Sequence, residues 1–264
     1  MMSQPGQASG RAVAFQLVQL SDPHIGATWS DADPVAGLAA AIESVRRLRD
    51  RPPDAVLVSG DLTDNAAAAE YERARELLAE LEAPVFVLPG NHDDRDGVRR
   101  HFDLPGAVGT PVQYAIDLGP LRLVVLDSTR PGADDGELDA GRLEWLDAEL
   151  RSAPDQVTVL AMHHPPLSSA SRAWDKVGLA AADRRALGEV VKRHPQVRRI
   201  VAGHMHRTIV AELGGCAVLA VPSTFVQARV NFSTDKIGFV IEPCGYAVHA
   251  LLDGELASHV QTVD

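Results

Sequence analysis

Histidine, aspartate and asparagine side chains follow five short apolar segments of this sequence, each at the point where the segment ends. Side chains of these types bind metal ions when several of them converge on one point. Six of the ten histidines fall in these motifs, whereas histidines scattered at random would not be concentrated there. In chain order the motifs are Ser21-Asp22-Pro23-His24, Gly60-Asp61-Leu62-Thr63-Asp64, Gly90-Asn91-His92-Asp93-Asp94, His163-His164-Pro165-Pro166 and Gly203-His204-Met205-His206.

The positions of these motifs predict that they meet in space. Sites in an open α/β sheet form at the carboxyl ends of the strands, so residues far apart in the sequence can face one crevice. Asp22 and His24 are two residues apart, as are His204 and His206. Residues at this spacing share a face of an extended backbone, so we expect each pair to address one site. A glycine precedes Asp61, as it does Asn91 and His204, and permits a tight turn there.

The candidate ligands outnumber those of a single metal ion. A tetrahedral zinc site takes four ligands, whereas seven in one crevice predict two ions that share one carboxylate. Oxygen and nitrogen donors without thiolate suit Fe, Mn, Co or Zn and do not choose among them. Each motif alone also occurs as an ordinary polar turn, but five together favour a metal centre. The seven candidates are Asp22, His24, Asp61, Asn91, His163, His204 and His206.

The elements that must position these residues alternate between apolar strands and amphipathic helices. This alternation predicts an α/β domain with a largely buried sheet. The hairpin after residue 113 and the strand-rich tail from Thr208 indicate mixed sheets, with two sheets packed face to face as one arrangement. We assign residues 13–264 to one domain and expect 1–12 to be disordered. Strands are predicted at Phe15–Leu20, Ala55–Val58, Val85–Leu88, Tyr114–Asp117, Leu121–Leu126, Val157–Met162 and Arg199–Ala202, and helices at Pro34–Leu48, Ala67–Leu81, Asp139–Leu150 and Asp183–Arg193.

Composition narrows the range of partners. The 264 residues carry a net charge of −11, which argues against a stable nucleic-acid complex, because such binding needs clustered Lys and Arg. A small anionic substrate stays compatible, since a bound metal supplies positive charge locally. No apolar run approaches the roughly 20 residues of a membrane span, and the N-terminus does not resemble a signal peptide. We therefore expect a cytoplasmic protein, and a homodimer stays open.

The ordered motifs resemble those of the calcineurin-like metallophosphoesterase superfamily. The resemblance spans Asp22 to His206, and it rests on Asp-x-His, Gly-Asp, Gly-Asn-His-Asp, the His of MHHPP and Gly-His-x-His in this order. GNHDD, MHHPP and the later PSTFVQ (Pro222–Gln227) are most similar to bacterial class III cyclic-nucleotide phosphodiesterases and their glycerophosphodiesterase relatives. The resemblance implies a four-layer αββα sandwich of two mixed β-sheets flanked by helices, with a dimetal centre.

The same resemblance implies a role for each motif residue. Asp22, His24 and His206 would hold one metal, Asn91, His163 and His204 the other, and Asp61 would bridge them. His92 corresponds to an active-site histidine that is not a ligand. We expect Asp64 to orient His92 through the other ring nitrogen. Asn91 and His92 are expected to contact the substrate, and His164 is either a further substrate contact or only a neighbour of the ligands.

The predicted function is a dimetal-dependent phosphodiesterase acting on a 3',5'-cyclic nucleotide or a similar small diester. Two ions about 3.5–4 Å apart would lower the pKa of a bridging water towards 7, and the resulting hydroxide would attack phosphorus. His92 would stabilise or protonate the leaving alkoxide. The alternatives are a glycerophosphodiesterase, a phosphomonoesterase or a nuclease of the same superfamily. A non-catalytic scaffold ranks last, because His92 and all seven ligands are present.

Overall fold

A computed structural model describes residues 12–263, and its elements alternate as the sequence predicts. The expected disorder of 1–12 falls, Ala12 excepted, on residues outside this range. The strands are β1 (Phe15–Leu20), β2 (Ala55–Val58), β3 (Val85–Val87), β4 (Tyr114–Leu118), β5 (Leu121–Val125), β6 (Thr158–Ala161), β7 (Val197–Ala202), β8 (Ile209–Leu213), β9 (Cys216–Ala220), β10 (Gln227–Ala228), β11 (Phe239–Val240), β12 (Gly245–Leu252) and β13 (Glu255–Thr262). The helices are α1 (Pro34–Arg46), α2 (Ala68–Leu78), α3 (Arg95–Phe102), α4 (Ala140–Arg151), α5 (Arg172–Lys176) and α6 (Ala181–Lys192).

The strands form two mixed sheets and one short ribbon. The first sheet has the order β13-β12-β1-β2-β3, in which β1, β2 and β3 run parallel and β12 and β13 run antiparallel to their neighbours. The second has the order β4-β5-β6-β7-β9-β8, with parallel pairs from β5 to β9. Within residues 12–263, strands β10 and β11 pair only with each other. The parallel strands at the centre of each sheet therefore end at a common edge.

Alternation along the strands builds four layers. Val18 of β1 and Val56 of β2 pack in one apolar cluster with helices α1 and α2, whereas Leu17 and Leu57 pack against the second sheet. A period of two is what a strand covered on both faces requires. Strands β5, β6 and β7 repeat the pattern, with one face on α4 and α6 and the other on the first sheet. This arrangement confirms the predicted αββα sandwich.

Local signals fix the ends of several helices. Asp33 caps α1, because its carboxylate accepts from the backbone N–H groups of Val35 and Ala36 at 2.9 and 3.2 Å, and Pro34 occupies the first helical position. Helices α3 and α5 were not predicted. Helix α3 has the sequence RDGVRRHF, in which a glycine and four charged side chains leave no apolar stripe. No helix among the described residues is long and apolar enough to cross a membrane.

Candidate metal centre

The structure brings all seven predicted ligands together at the facing edges of the two sheets. Four of them follow the first sheet, Asp22 and His24 after β1, Asp61 after β2 and Asn91 after β3. Three follow the second sheet, His163 after β6 and His204 and His206 after β7. All except the partly buried Asn91 are at most 5% exposed. The prediction that strand ends carry one shared site is thus matched by the geometry.

We had expected an extended backbone at these residues, but five of the seven have a left-handed backbone. Five of the nine described non-glycine residues with positive φ are predicted ligands, at φ 51° for Asp22, 46° for His24, 49° for Asp61, 64° for His204 and 44° for His206. Such conformations cost about 1–3 kcal/mol each and persist where the surroundings hold them. The members of the His204–His206 pair consequently point to two neighbouring groups of ligands, and do not share one.

The Asp61 carboxylate stands at the centre of the cluster. Its Oδ2 atom lies 3.4 Å from Nε2 of His24 and 3.4 Å from Nε2 of His163. Its Oδ1 atom accepts a hydrogen bond from the backbone N–H of His92 at 2.9 Å. One oxygen therefore faces a histidine from each sheet, which is the placement that a bridging carboxylate needs.

The first group of ligands presents lone pairs to one another. His24 Nδ1 lies 3.1 Å from the Asp64 carboxylate, and His206 Nδ1 lies 2.9 Å from the carbonyl oxygen of Val226. Because these oxygens only accept, each Nδ1 carries a proton, and in the neutral ring each Nε2 offers a lone pair. The two Nε2 atoms nevertheless lie 3.0 Å apart, and His206 Nε2 is 3.7 Å from a carboxylate oxygen of Asp22. Facing lone pairs of this kind fit a cation between them.

The second group repeats this arrangement around Asn91. His163 Nδ1 lies 2.9 Å from the carbonyl oxygen of Ser59, so in the neutral ring the lone pair is on Nε2, which lies 3.1 Å from Asn91 Oδ1. His204 Nδ1 lies 3.0 Å from the same Asn91 oxygen. The buried Nε2 of His204 has no hydrogen-bond partner among the described residues. The donor set in both groups therefore suits metal ions, and the cluster is able to bind them.

Burial and mutual charge set the protonation of the cluster. Burial lowers the pKa of His206 to about 3, so this imidazole stays neutral. Burial would also lower the pKa of His163, but the carboxylates of Asp61 and Asp22 raise it to about 9. Burial opposes ionisation of Asp61, yet His163 and His24 hold its pKa well below the usual range. Asp61 is thus an anion that favours positive charge beside it, either a second proton on His163 or a metal ion bound to the neutral ring.

His92 and Asp64 are connected differently from the prediction. The ring Nδ1 of His92 donates to the backbone carbonyl of Asp64 at 3.0 Å, not to its carboxylate, which is 3.6 Å away. The carboxylate instead accepts from His24 Nδ1 and, at 3.0 Å, from Nε1 of Trp29. The left-handed turns bring His24 closer to this side chain than His92. Asp64 therefore fixes His92 with its main chain and a candidate ligand with its side chain.

His164 lies beneath the site and has no free ring nitrogen. Its Nδ1 is 2.9 Å from Ser128 Oγ and its Nε2 3.1 Å from the carbonyl oxygen of Asp134. The residue is fully buried, and burial lowers the pKa of its imidazole to about 3. The prediction that His164 contacts the substrate is therefore wrong. Its alternative, a neighbour of the ligands, describes its position behind His204.

Asp93 and Asp94 shape the loop that carries Asn91 and His92. The Asp93 carboxylate accepts from the backbone N–H groups of Leu62, Thr63 and Gly90 at 2.9–3.1 Å, so it joins the loops after β2 and β3. Asp94 caps α3 by accepting from the N–H of Gly97 at 2.7 Å. Neither carboxylate belongs to the ligand cluster. These two carboxylates hold the neighbouring loops in position.

An open cavity of about 260 Å³ gives access to the cluster. Its floor contains five of the seven predicted ligands and His92, and its wall is apolar and aromatic, which the sequence analysis did not predict. The wall residues are Trp29, Trp174, Val177, Ile237 and Phe239, with Asp134 at the rim. Their sequence positions give no signal, because they belong to four separate loops and short elements.

Comparison with known proteins agrees with this geometry. Residues 15–208 match the family of calcineurin-like phosphoesterases. The chain is 31% identical to the 3',5'-cyclic adenosine monophosphate phosphodiesterase CpdA of Pseudomonas aeruginosa, over 100% of this chain and 95% of that one. It is 33% identical to the glycerophosphodiester phosphodiesterase GpdQ of Enterobacter lignolyticus, over 92% and 89% of the two chains. A dimetal phosphatase from Danio rerio has the same fold, with a TM-score of 0.65 at 15% identity over 96% of this chain and all of that one.

The chain belongs to the calcineurin-like phosphoesterase family. The family match covers more than half of the chain, and the two relatives described above are both named phosphodiesterases. The resemblance drawn from the sequence motifs is thereby confirmed.

Proposed function

We propose that this protein is a metal-dependent phosphodiesterase that hydrolyses a small phosphodiester, with 3',5'-cyclic nucleotides as the favoured class. The observation that carries the proposal is the position of Asp61 Oδ2, at 3.4 Å from a histidine of each sheet. A carboxylate so placed can serve two ions, and two-ion sites catalyse displacement at phosphorus. The relatives named for cyclic nucleotide and glycerophosphodiester hydrolysis support the reaction class.

The cluster would hold two ions, and Fe, Mn, Co and Zn all suit its donors. The Asp22, His24 and His206 side chains would bind one ion, those of Asn91, His163 and His204 the other, and Asp61 both. The chemistry that such ions supply when bound is activation of a water molecule and neutralisation of phosphate charge.

His92 is the residue that would handle the leaving group. The Asp64 carbonyl fixes the proton on its Nδ1, which leaves Nε2 to exchange a proton with the departing alkoxide. The ring lines the open cavity and is half-buried, so a substrate can reach it. The adjacent Asn91 is proposed as a second contact to the phosphate.

Glycerophosphodiester hydrolysis is the second candidate, because a relative at 33% identity carries that name. Monoester hydrolysis is less favoured. A monoester carries more negative charge than a diester, and no Lys or Arg is among the described residues that line the cavity. A non-catalytic scaffold is least favoured, since the cluster and His92 are assembled.

Steady-state hydrolysis by metal-stripped, manganese-reconstituted protein tests the proposal. We expect bis(p-nitrophenyl) phosphate to be cleaved well ahead of p-nitrophenyl phosphate, and this activity to vanish in Asp61→Ala. His259→Ala is the matched control, because His259 is an exposed histidine of β13 outside the cluster. Preference for the monoester would instead define a phosphatase. Manganese binding without hydrolysis of either ester would contradict the proposal that this protein is an enzyme of this class.

A cytoplasmic location and a homodimer remain predictions from the sequence. Cell fractionation addresses the first, and sedimentation of the manganese-loaded protein addresses the second. The expected exclusion of nucleic acid is checked by a binding titration at about 0.1 M salt, where weak non-specific contacts are screened.

A further inference from the structure

We propose that Trp29 and Phe239 form a binding site for the flat aromatic base of a nucleotide substrate, backed by Trp174. This inference rests on the proposed phosphodiesterase function and names the substrate class more narrowly. It assigns specificity to residues outside the metal cluster. It also separates a cyclic nucleotide from a glycerol ester, which has no aromatic group.

The three rings form a continuous wall beside the candidate ligands. The ring centroids of Trp29 and Phe239 are 4.9 Å apart, and those of Phe239 and Trp174 are 5.9 Å apart. Phe239 lies 5.3 Å from the ring of His206, and Trp29 lies 5.9 Å from that of His24. A phosphate held at the cluster therefore has aromatic faces within the reach of its ester group.

The aromatic wall is connected by hydrogen bonds and packing to residues of the cluster and to residues that orient it. Trp29 donates its Nε1–H to Asp64 and packs edge-on against Phe225, with centroids 5.0 Å apart. Phe239 belongs to the ribbon of β10 and β11, and the backbone N–H of Ala228 in β10 donates to the carbonyl of His206 at 2.9 Å. The position of each ring is thus fixed relative to the metal-binding residues before a substrate arrives.

Exposure and charge favour an aromatic occupant. Trp29 is 44% exposed and Phe239 is 37% exposed, so neither ring is covered in the way that a core side chain is. The cavity wall around them holds Val177 and Ile237 and, among the described residues, no Lys or Arg. Apart from Asp134 at the rim, the wall offers a glycerol group little to hydrogen-bond with, whereas every nucleobase has a π-face that stacks on aromatic side chains.

Substrate selectivity is the direct test. The ratio of kcat/KM for 3',5'-cyclic AMP to that for glycerophosphoglycerol, which has neither an aromatic ring nor a quaternary ammonium group, is compared in the wild type and in Trp29→Leu, Trp29→Phe and Phe239→Leu. We expect both leucine variants to lower this ratio about tenfold or more, mainly through KM for cyclic AMP, since stacking on one ring is worth about that factor. Trp29→Phe loses the hydrogen bond to Asp64 as Trp29→Leu does but keeps an aromatic face, so it should retain most of the selectivity.

Phe232→Leu is the control on the ribbon. Phe232 is 61% exposed in the loop between β10 and β11 and does not line this cavity, so the substitution should leave the ratio unchanged. Equal losses for both substrates in the leucine variants, or no loss, would overturn the base site while leaving the phosphodiesterase intact.

A binding measurement separates this inference from the proposed function. If no diester is hydrolysed, the proposed function fails, and calorimetric binding of adenosine 5'-monophosphate to the manganese-loaded protein decides the base site. Binding that Phe239→Leu weakens about tenfold, with Phe232→Leu unchanged, would support it. Absence of binding, or equal affinity in all variants, would reject it.

Discussion

The backbone N–H of His204 donates hydrogen bonds to both carboxylate oxygens of Asp22, at 2.9 and 3.1 Å. The two residues are 182 positions apart in the chain. His204 follows β7 and Asp22 follows β1, and these strands belong to different sheets. A predicted ligand from the first sheet is thereby oriented by the main chain of a predicted ligand from the second. The contact requires the two loops to approach closely, and the residue before His204 makes this possible.

Substitution of that residue, Gly203→Ala, should disrupt the centre. A Cβ at this position would lie 2.0 Å from Ser21 Oγ, 2.6 Å from Asp22 Oδ2 and 2.9 Å from the Ser59 carbonyl oxygen, so the loops must separate. We expect manganese content and diester hydrolysis to fall together, by roughly 100-fold for hydrolysis, the scale of effect seen when catalytic geometry shifts by about 1 Å.

Gly188→Ala in α6 is the comparison for Gly203→Ala, because its Cβ would meet only ordinary contacts at 3.4 Å or more. It should preserve both metal content and activity. A Gly203→Ala protein that binds manganese and turns over like the wild type would show that the loops are more tolerant than their spacing indicates.

Removal of the Asp64 carboxylate should weaken metal binding more than it alters proton transfer. Asp64→Ala deletes the acceptor that orients His24, and partners of this kind are typically worth about 10–100-fold in metal affinity. His92 keeps its hydrogen bond to the main-chain carbonyl at residue 64. Manganese titration of the stripped protein measures the affinity. Unchanged affinity combined with a changed dependence on the leaving group would instead favour the side-chain link to His92 that the sequence suggested.

Loss of His92 should depend on the ester that is cleaved. For 3',5'-cyclic AMP the leaving alkoxide needs a proton, so His92→Ala should reduce kcat by about 10²–10⁴. For bis(p-nitrophenyl) phosphate the leaving phenolate is stable without one, and the loss should be much smaller. Steady-state rates for both substrates at saturating manganese give the comparison. Equal losses for both would show that His92 serves the phosphate, not the leaving group.

His249 should make stability depend on pH. Its ring is fully buried, between Gln19 Oε1 at 3.1 Å and Ser258 Oγ at 2.8 Å, and burial together with the charges of Arg199 and His259 lowers its pKa to about 3. The unfolded chain binds this proton below its ordinary pKa of 6.5, whereas the folded protein stays neutral. The contribution of His249 to stability is therefore complete above pH 6.5 and falls as the pH drops towards 3, by up to about 1.4 kcal/mol per pH unit.

Urea unfolding of the wild type and His249→Gln between pH 7 and pH 4.5 measures this effect. Glutamine can retain hydrogen bonds to both neighbours but does not titrate, so its free energy of unfolding should fall less steeply with acid. Parallel curves for the two proteins would mean that His249 keeps its ordinary pKa in the folded state.

The ligand positions could be predicted because strand ends impose them. Once β1, β2, β3, β6 and β7 are recognised as buried strands, the polar residues directly after them have one edge of a sheet to occupy. The conformation of those residues could not be predicted in the same way. Non-glycine residues such as Asp22 and His206 adopt positive φ only because the assembled surroundings hold them there, which local sequence does not record.

The aromatic wall escaped prediction for a related reason. Trp29 lies in a loop, Trp174 in the five-residue helix α5 and Phe239 in a two-residue strand. None of these segments is long enough to show a period, so nothing in the sequence ties one ring to another. The partners of His92 and Asp64 likewise depended on turns whose geometry appears only once the loops are packed.

The split origin of the cluster has a mechanical consequence. Four of its predicted ligands follow strands of one sheet and three follow strands of the other, so the candidate centre connects the two sheets. A relative shift of the two sheets by a fraction of a bond length would change the distances between these side chains even if none of them were substituted. The apolar packing between the sheets therefore sets the spacing of the predicted ligands as well as stabilising the fold.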